Sequence, residues 1–154
     1  MTIPGSVKMA DVSEKLRSVR TATARAEVYA SPAALSAIRE GRLAKGDALS
    51  VAKLAGIAAA KQTPQLLPLC HPVQLSHVDV AIDLLDDHIE IHATAKATDR
   101  TGVEMEALVA ATVAALAIYD MAKPMDRSIE IRRIYLVKKT GGKSGTWVRE
   151  NEAQ

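Results

Sequence analysis

Apolar and polar residues alternate along four segments of the chain, with the period of two that is typical of strands with one solvated face. The segments are residues 22–29, 78–84, 88–94 and 128–139. Asp86 and Asp87 lie between the second and third segments and predict a tight turn, which would join these two strands into an antiparallel hairpin. The pattern therefore predicts four strands.

The segment between the first two predicted strands contains start and stop signals for two helices. Ser31 followed by Pro32 predicts a helix start, because serine caps free amides and proline suits the first turn. Gly41 predicts the end of this short helix through a left-handed cap. Asp47 is a good N-cap for a second helix, which we expect to end near Thr63.

A long apolar segment at residues 103–122 predicts a third helix, covered on more than one side. Residues 65–72, between the second helix and the hairpin, include Pro68 and Pro72. Two prolines make this stretch too rigid for a regular element, so it is predicted to be an ordered loop, a common location for functional residues.

The predicted element order is β, α, α, β, β, α, β. Without one helix, this is the split β-α-β order of a ferredoxin-like fold. We therefore expect an α+β protein with a four-stranded antiparallel sheet, helices packed on one face and one extra helix. The 154 residues suit a single domain over residues 1–154, with a mobile N-terminal arm at 1–10 and a flexible tail at 140–154 that contains glycine and lysine.

Composition changes the picture of the core. The chain has no Phe, one Trp and three Tyr, so Ala, Leu, Val, Ile and Met must fill the interior and allow close packing. A sheet offers a helix only one side, whereas the helix at 103–122 is apolar around most of its circumference. We therefore expect a second copy of the chain to cover the remainder, which predicts a homo-oligomer.

Charge and cysteine content exclude several classes of protein. The net charge of +2 is too small for binding nucleic acid or a membrane surface through the overall field. One cysteine, Cys70, cannot form an internal disulfide, which fits a reducing compartment and favours the cytoplasm. The longest apolar run, residues 107–119, falls short of the roughly 20 residues that cross a bilayer, and the N-terminus has no secretory signal pattern.

Ionisable residues mark both ends of the predicted long helix. Glu104 and Glu106 fall in its first turn, where carboxylates complement the helix dipole or could form a site. Asp120 and Lys123, three residues apart near its end, would lie on one face. They could form a simple salt bridge or a pair that transfers protons, because an acid beside a lysine can acquire a shifted pKa.

Three other places could carry chemistry. Cys70 and His71 stand in the proline-rich loop, where His71 suits a proton-transfer or binding role better than a Cys-His pair, and the cysteine and histidine spacing predicts no metal site. Lys45 precedes a helix start and suits anion binding, although a lysine at a turn is usually only solvated. The sequence KTGGKSG, residues 139–145, lacks the first glycine of a Walker loop, yet Lys139 and Lys143 could still bind phosphate.

Several motifs together resemble one known family. They are PLCHP at residues 68–72, DRTGVEMEAL at 99–108, YDMAK at 119–123 and GGKSG at 141–145, within a similarity that runs from about Met9 to Gly145. In this order they resemble the MoaC family, the cyclic pyranopterin monophosphate synthases of molybdenum-cofactor biosynthesis. Ala122 and Pro124 depart from the Cys and Ala that the family commonly has there.

The resemblance implies a lyase that converts a cyclised GTP derivative to cyclic pyranopterin monophosphate and releases pyrophosphate. It implies a hexamer, built as a trimer of dimers, with the active site at a subunit interface. Asp120 would be the catalytic acid-base residue, and Lys45 and Lys123 the essential lysines. The implied substrate contacts are Leu69, Cys70, His71, Met105 and Glu106, with Glu104, Arg20, Lys139 and Lys143 as further candidates.

Two alternatives stay open at this point. One is a non-catalytic ferredoxin-like module that binds a nucleotide and regulates a partner. The other is a metal-dependent pterin-forming hydrolase. No cofactor is predicted, although a divalent cation such as Mg²⁺ could accompany a phosphorylated substrate. Because Glu106 and Asp120 lie at opposite ends of one helix, a site that uses both would need a neighbouring subunit.

Overall fold

A computed structural model describes residues 5–151. Four helices and five strands follow one another in the order β1, α1, α2, α3, β2, β3, α4, β4, β5. The helices are α1 (Pro32–Arg39), α2 (Ala48–Lys61), α3 (Thr63–Leu66) and α4 (Glu104–Ala122). The strands are β1 (Ser18–Tyr29), β2 (Leu75–Leu84), β3 (His88–Asp99), β4 (Glu130–Thr140) and β5 (Trp147–Val148).

The strands form one antiparallel sheet in the order β2-β3-β1-β4-β5. The first four positions reproduce the predicted ferredoxin-like order, with β1 and β3 in the centre. The sheet has a fifth strand where four were predicted, because the short β5 pairs with Lys138 and Lys139 of β4. The segment predicted as a flexible tail thus contains β5. Residues 5–10 of the predicted arm are exposed and contain no helix or strand, and residues 1–4 lie outside the described part.

Alternation along the two central strands decides which face of the sheet is buried. In β1, Ala22, Ala24, Ala26 and Val28 are at most 1% exposed, and the residues between them point to the other face. The odd-numbered residues of β3 from 89 to 97 are buried in the same way. A core of alanine and β-branched residues replaces the missing aromatic side chains, as the composition predicted.

Caps at α1 and α2 confirm the predicted helix starts. The Ser31 side chain accepts a hydrogen bond from the Ala34 amide at 3.2 Å, and the Asp47 side chain accepts from the Leu49 amide at 3.1 Å. Gly41 follows α1 with a φ of 66°, in the left-handed region. The short helix α3 was not predicted: it begins at Thr63, where the second helix was expected to end, and its last two residues fall in the segment predicted as a loop.

The long helix α4 lies on the sheet and is also covered by α2 of the same chain. Gly56 of α2 faces α4 so closely that a Cβ there would lie 2.8 Å from the Ala110 carbonyl oxygen and 3.3 Å from the Ala114 Cβ. Since α2 shields much of the α4 surface beyond the sheet, the apolar circumference of α4 does not by itself require a second copy, and the homo-oligomer stays a prediction. Leu116 of α4 remains 52% exposed.

In the described part of the chain, α4 is the one helix long and apolar enough to cross a membrane by length and composition. It has 19 residues, more than the apolar run of residues 107–119 indicated. A core helix passes the same test, and half of its apolar window is buried within the fold. Its contacts with the sheet and α2 make α4 a core helix.

The crossing of α2 and α4 yields a stability prediction. Gly56→Ala adds a methyl group with a backbone carbonyl at 2.8 Å and Val80 Cγ2 at 3.0 Å, so the helices must separate. We expect the free energy of unfolding to fall by about 1–3 kcal/mol, despite a gain of about 1 kcal/mol in helix propensity. Urea unfolding followed by circular dichroism measures the change. Lys61→Ala, at an exposed position of α2, serves as the control; a Gly56→Ala protein as stable as wild type would contradict the proposed packing.

Candidate active site

Three candidate residues meet near the C-terminal end of α4; we call them the lysine–aspartate cluster (Lys45, Asp120 and Lys123). Asp120 lies in the last turn of α4, Lys123 is the C-cap residue that follows it, and Lys45 reaches them from the loop between α1 and α2. Lys45 Nζ lies 2.9 Å from Asp120 Oδ2, and Lys123 Nζ lies 3.1 Å from Asp120 Oδ1. Each carboxylate oxygen therefore contacts a different lysine.

The two lysines change the acidity of Asp120. The hydrogen bond from Lys45, then that from Lys123, and then the charge of Lys45 hold the pKa of this carboxyl below its usual value. All three side chains are about half exposed, at 48%, 54% and 54% for Lys45, Asp120 and Lys123. The cluster is thus an ionised, solvent-facing group in which both ammonium groups remain open to an anion.

A second group lies near the N-terminal end of α4; we call it the glutamate cluster (Arg20, Cys70, Glu104, Glu106 and Lys139). Lys139 Nζ, from β4, lies 2.7 Å from Glu104 Oε1. Burial opposes ionisation of Glu104, but the hydrogen bond from Lys139, together with the charges of Lys139 and Arg20, brings its pKa below the usual value. Strands β1 and β4 thus supply cations to the first turn of α4.

Glu106 has the opposite electrostatic environment. Glu106 is only 3% exposed. Burial is the largest cause that raises the pKa of its carboxyl group, and the negative charges of Glu104 and Asp99 raise it further. Burial followed by the carboxylates of Glu106 and Glu104 also raises the pKa of the Cys70 thiol. Cys70 therefore favours the uncharged thiol, which argues against a nucleophilic role.

Two glycines leave the space that this cluster needs. A Cβ on Gly102 would overlap the Glu104 carboxylate, which folds back toward Lys139. A Cβ on Gly142 would overlap the Arg20 guanidinium, and Gly142 has a φ of 75°, which side-chain-bearing residues rarely adopt. The glycine-rich segment therefore lies directly against β1 near the cluster.

Four other predicted site residues are close in sequence to members of the glutamate cluster. His71 follows Cys70, and its Nε2 lies 2.6 Å from the Ala10 carbonyl oxygen. Leu69 and Met105 are apolar yet 46% and 37% exposed. Lys143 is exposed in the turn that the Gly145 amide closes by donating to the Gly142 carbonyl. These side chains offer both apolar and polar contacts to a ligand.

The structure separates the predicted residues into two groups rather than one. Glu106 and Asp120 are fourteen positions apart on α4, or about 21 Å at the helical rise per residue. Two surface depressions lie elsewhere: one is lined by Tyr29, Ala30, Ser31, Ser128, Glu130 and Arg132, the other by Leu49, Ser50, Lys53, Val80, Ala81 and Ile82. Neither depression includes a member of the two clusters. The lysine–aspartate cluster is about half exposed, whereas Glu106 of the glutamate cluster is 3% exposed.

One group within residues 5–151 could hold a metal ion by its geometry, although the sequence predicted no metal site. Asp83, Glu90 and His92 place their ligand atoms within 4.8 Å of one another. Glu90 is already bound by Arg25 Nη2 at 2.6 Å, which neutralises its charge. These residues alternate with buried ones in β2 and β3, so they lie on the sheet face that α2 and α4 do not cover.

Asp99 and Arg100 lie near the site but were not among the predicted site residues. They stand at the beginning of the DRTGVEMEAL motif, immediately before the turn that leads into α4. Arg20 Nε donates to the Asp99 carbonyl at 3.1 Å, and Arg20 Nη2 donates to the Arg100 carbonyl at 3.0 Å. Their position in the motif could have indicated them as site residues, but their contact with Arg20 appears only in the folded chain.

Comparisons with known proteins show which family the chain is similar to. The chain is 52% identical over 150 residues to the cyclic pyranopterin monophosphate synthase of Thermomicrobium roseum, covering 96% of this chain and 90% of that protein. It is also 52% identical to the proteins of the same name from Geotalea uraniireducens, covering 96% and 94% of the two chains, and from Geobacter metallireducens, covering 97% and 94%.

The matching region contains every candidate residue except Lys143. The sequence pattern that defines the MoaC family matches residues 9–142, which include both the lysine–aspartate cluster and the glutamate cluster. This match covers far more than half of the chain, and the relatives are similar over nearly their whole lengths. The chain therefore belongs to the MoaC family.

Proposed function

We propose that this chain is a lyase that converts (8S)-3′,8-cyclo-7,8-dihydroguanosine 5′-triphosphate to cyclic pyranopterin monophosphate and pyrophosphate. The names of its relatives, at about half identity over almost the entire chain, support this reaction. The observation that carries the proposal is the contact of Asp120 with both Lys45 and Lys123. It joins a proton-transfer group to two phosphate-binding cations.

The lysines would act on the triphosphate and on Asp120 together. A bound phosphate group attracts both ammonium groups, so it weakens their bonds to the carboxylate. The pKa of Asp120 then rises from its depressed value, which makes the carboxylate a better proton acceptor once substrate is bound. As pyrophosphate leaves, Lys45 and Lys123 neutralise the negative charge that develops on it.

The glutamate cluster would hold the rest of the substrate. Leu69 and Met105 offer exposed apolar surface to the ring system, and Cys70, His71 and Glu106 offer polar contacts to its edge. Cationic side chains next to this surface would bind the remaining phosphate charge. They are Arg20, Lys139 and Lys143, with Glu104 orienting Lys139 through the 2.7 Å ion pair.

Distance along α4 supports an active site shared between subunits. About 21 Å separates Glu106 from Asp120 in one chain, and the lysine–aspartate cluster is about half exposed. We infer that Asp120 of one subunit meets Glu106 of another, in a hexamer built as a trimer of dimers.

The protein would work in the cytoplasm, where one unpaired cysteine is stable as a thiol. A divalent cation such as Mg²⁺ would accompany the triphosphate as a partner of the substrate.

Substitutions in the lysine–aspartate cluster test the reaction. Asp120→Asn keeps the shape but removes the proton acceptor, so we expect kcat to fall by about 10²–10⁴-fold. Lys45→Ala removes one phosphate-binding cation and should lower kcat/KM by about 10²–10³-fold. Purified protein is given the cyclised GTP derivative, and pyrophosphate and the cyclic monophosphate are quantified.

Lys53→Ala is the matched control for these variants. Lys53 is also about half exposed, at 52%, and pairs with Asp79 at 3.3 Å, but it lies outside both clusters. Its removal should leave kcat and KM unchanged. Wild-type protein that binds the substrate without forming either product would overturn the proposed reaction and favour a nucleotide-binding regulatory module.

The pKa of Asp120 provides an independent test in the absence of substrate. Lys45→Ala removes the largest cause of the lowered pKa, so the pKa of Asp120 should rise toward the ordinary aspartate value. If ionised Asp120 is the active form, the acid limb of kcat/KM shifts to higher pH in this variant. Carboxyl ¹³C NMR titration measures the pKa, with Lys53→Ala as reference. An unchanged Asp120 pKa would contradict the proposed coupling.

Mixing two inactive variants tests whether the site is shared. If Glu106 and Asp120 of different subunits form one site, Glu106→Gln and Asp120→Asn chains in one oligomer rebuild some sites with both native residues. Random assembly of equal amounts restores about a quarter of the sites, in keeping with closed symmetric assembly. Activity after dissociation and reassembly is compared with that of each variant alone. Restored activity near zero, with mixed oligomers demonstrated by mass spectrometry, would show that the site lies within one chain.

A further inference from the structure

Asp99 ends β3 at the point where the chain leaves the sheet toward α4. Its side chain bonds to two separate segments. Oδ1 accepts a hydrogen bond from the Arg100 amide at 2.8 Å, and Oδ2 accepts one from the Gln74 amide at 3.3 Å. Gln74 is three residues beyond His71, so one carboxylate links the loop that carries Cys70 and His71 to the turn that enters α4.

The backbone on the other side of Asp99 is held by Arg20. Its guanidinium donates to the carbonyl groups of both Asp99 and Arg100, and Gly142 lies against the same guanidinium. The Gly142 amide in turn donates to Ser18 Oγ at 3.2 Å. The glycine-rich segment is therefore connected through Arg20 to the same turn as the Cys70–His71 loop.

The charge on Asp99 is stable near neutral pH. The Arg100 amide lowers its pKa, burial opposes this effect, and the Gln74 amide and the charges of Arg17 and Arg100 add to the lowering. An ionised carboxylate accepts stronger hydrogen bonds from backbone amides than a neutral group does. Asp99 is thus a persistent acceptor for both segments.

We propose that Asp99 is a positioning residue of the active site, which sets the location of the Cys70–His71 loop relative to Glu106. The proposal rests on the proposed function for its catalytic consequence, but the geometry it describes stands without it. Asp99 touches neither Cys70 nor Glu106 through a bond of its own. It acts through the Gln74 amide on one side and the chain entering α4 on the other.

Loss of the carboxylate should loosen the loop while leaving the core intact. The loop is also held by Val73, which packs partly against the core, by the contact of His71 with the Ala10 carbonyl, and by the Cys70 amide, which donates to the Leu67 carbonyl at 3.0 Å. Asp99 lies at the end of β3, beyond the buried run that finishes at Ala97. Global stability and loop position are therefore separable by measurement.

Cys70 gives a direct readout of loop position because it is the single cysteine of the chain. The rate of its alkylation by iodoacetamide, a neutral reagent, is measured across pH in wild type, Asp99→Ala and Asp99→Asn. We expect Asp99→Ala to raise the plateau rate at high pH by about fivefold or more, because a loosened loop exposes the thiol more often. Asp99→Asn keeps one acceptor oxygen and should give an intermediate rate.

Asp79→Ala is the control, because Asp79 lies in β2 and pairs with Lys53 rather than with the loop. Its Cys70 rate should equal that of wild type. An Asp99→Ala rate equal to wild type would overturn the proposal. An increase in Asp99→Asn, the milder change, that appears only together with loss of the cooperative thermal transition would overturn it as well. If Asp99→Ala does not fold, the comparison of Asp99→Asn with wild type decides in the same way.

Kinetics with the cyclised GTP derivative separates positioning from a general structural role. A displaced binding loop weakens substrate and transition state alike, so KM should rise about tenfold in Asp99→Ala while kcat changes little. A merely structural defect would lower the active fraction, and hence kcat, at constant KM, and would refute the positioning role. Wild type without turnover would overturn the proposed function, whereas the Cys70 rates would still decide whether Asp99 holds the loop.

Discussion

The contact of α4 with the sheet on one side and α2 on the other is the constraint on which the rest of the structure depends. Gly56 and the alanines of α4 have no side chain beyond a methyl group, so α2 approaches the Ala110 carbonyl directly. Close packing over a long contact compensates for the lack of aromatic residues through many small dispersion contacts. Both ends of α4 are consequently held in fixed positions relative to β1, β4 and the loop before α2.

This rigid helix gives its two ends different chemistry. Asp120 at one end is exposed and paired with two lysines, which lower its pKa, whereas burial at the other end raises the pKa of Glu106. Carboxyl groups whose environments move their pKa values apart are suited to different roles in acid-base chemistry. The separation along α4 also explains why these residues form two clusters in one chain instead of a single site.

Much of the fold was predictable because its signals are local. Alternation located β1 to β4, and the caps at Ser31 and Asp47 marked two helix starts. The predicted β1 began four residues late, at Ala22, because its first residues alternate without a buried apolar side chain. The two-residue β5 was not predicted, because it is a strand only through its pairing with β4 and its own sequence is too short to show a pattern.

The sequence by itself determined the alanine-rich core, the family, the residues of both clusters and the types of all elements except α3 and β5, because propensity, periodicity and motifs act over short stretches of chain. It also placed Asp120 beside Lys123, three residues away on one helix. Only the tertiary structure decided that Lys45 joins them, that α2 covers α4 and that Asp99 holds the Gln74 amide. These contacts join residues far apart in the chain, so they depend on sheet register and helix packing, which no local pattern specifies.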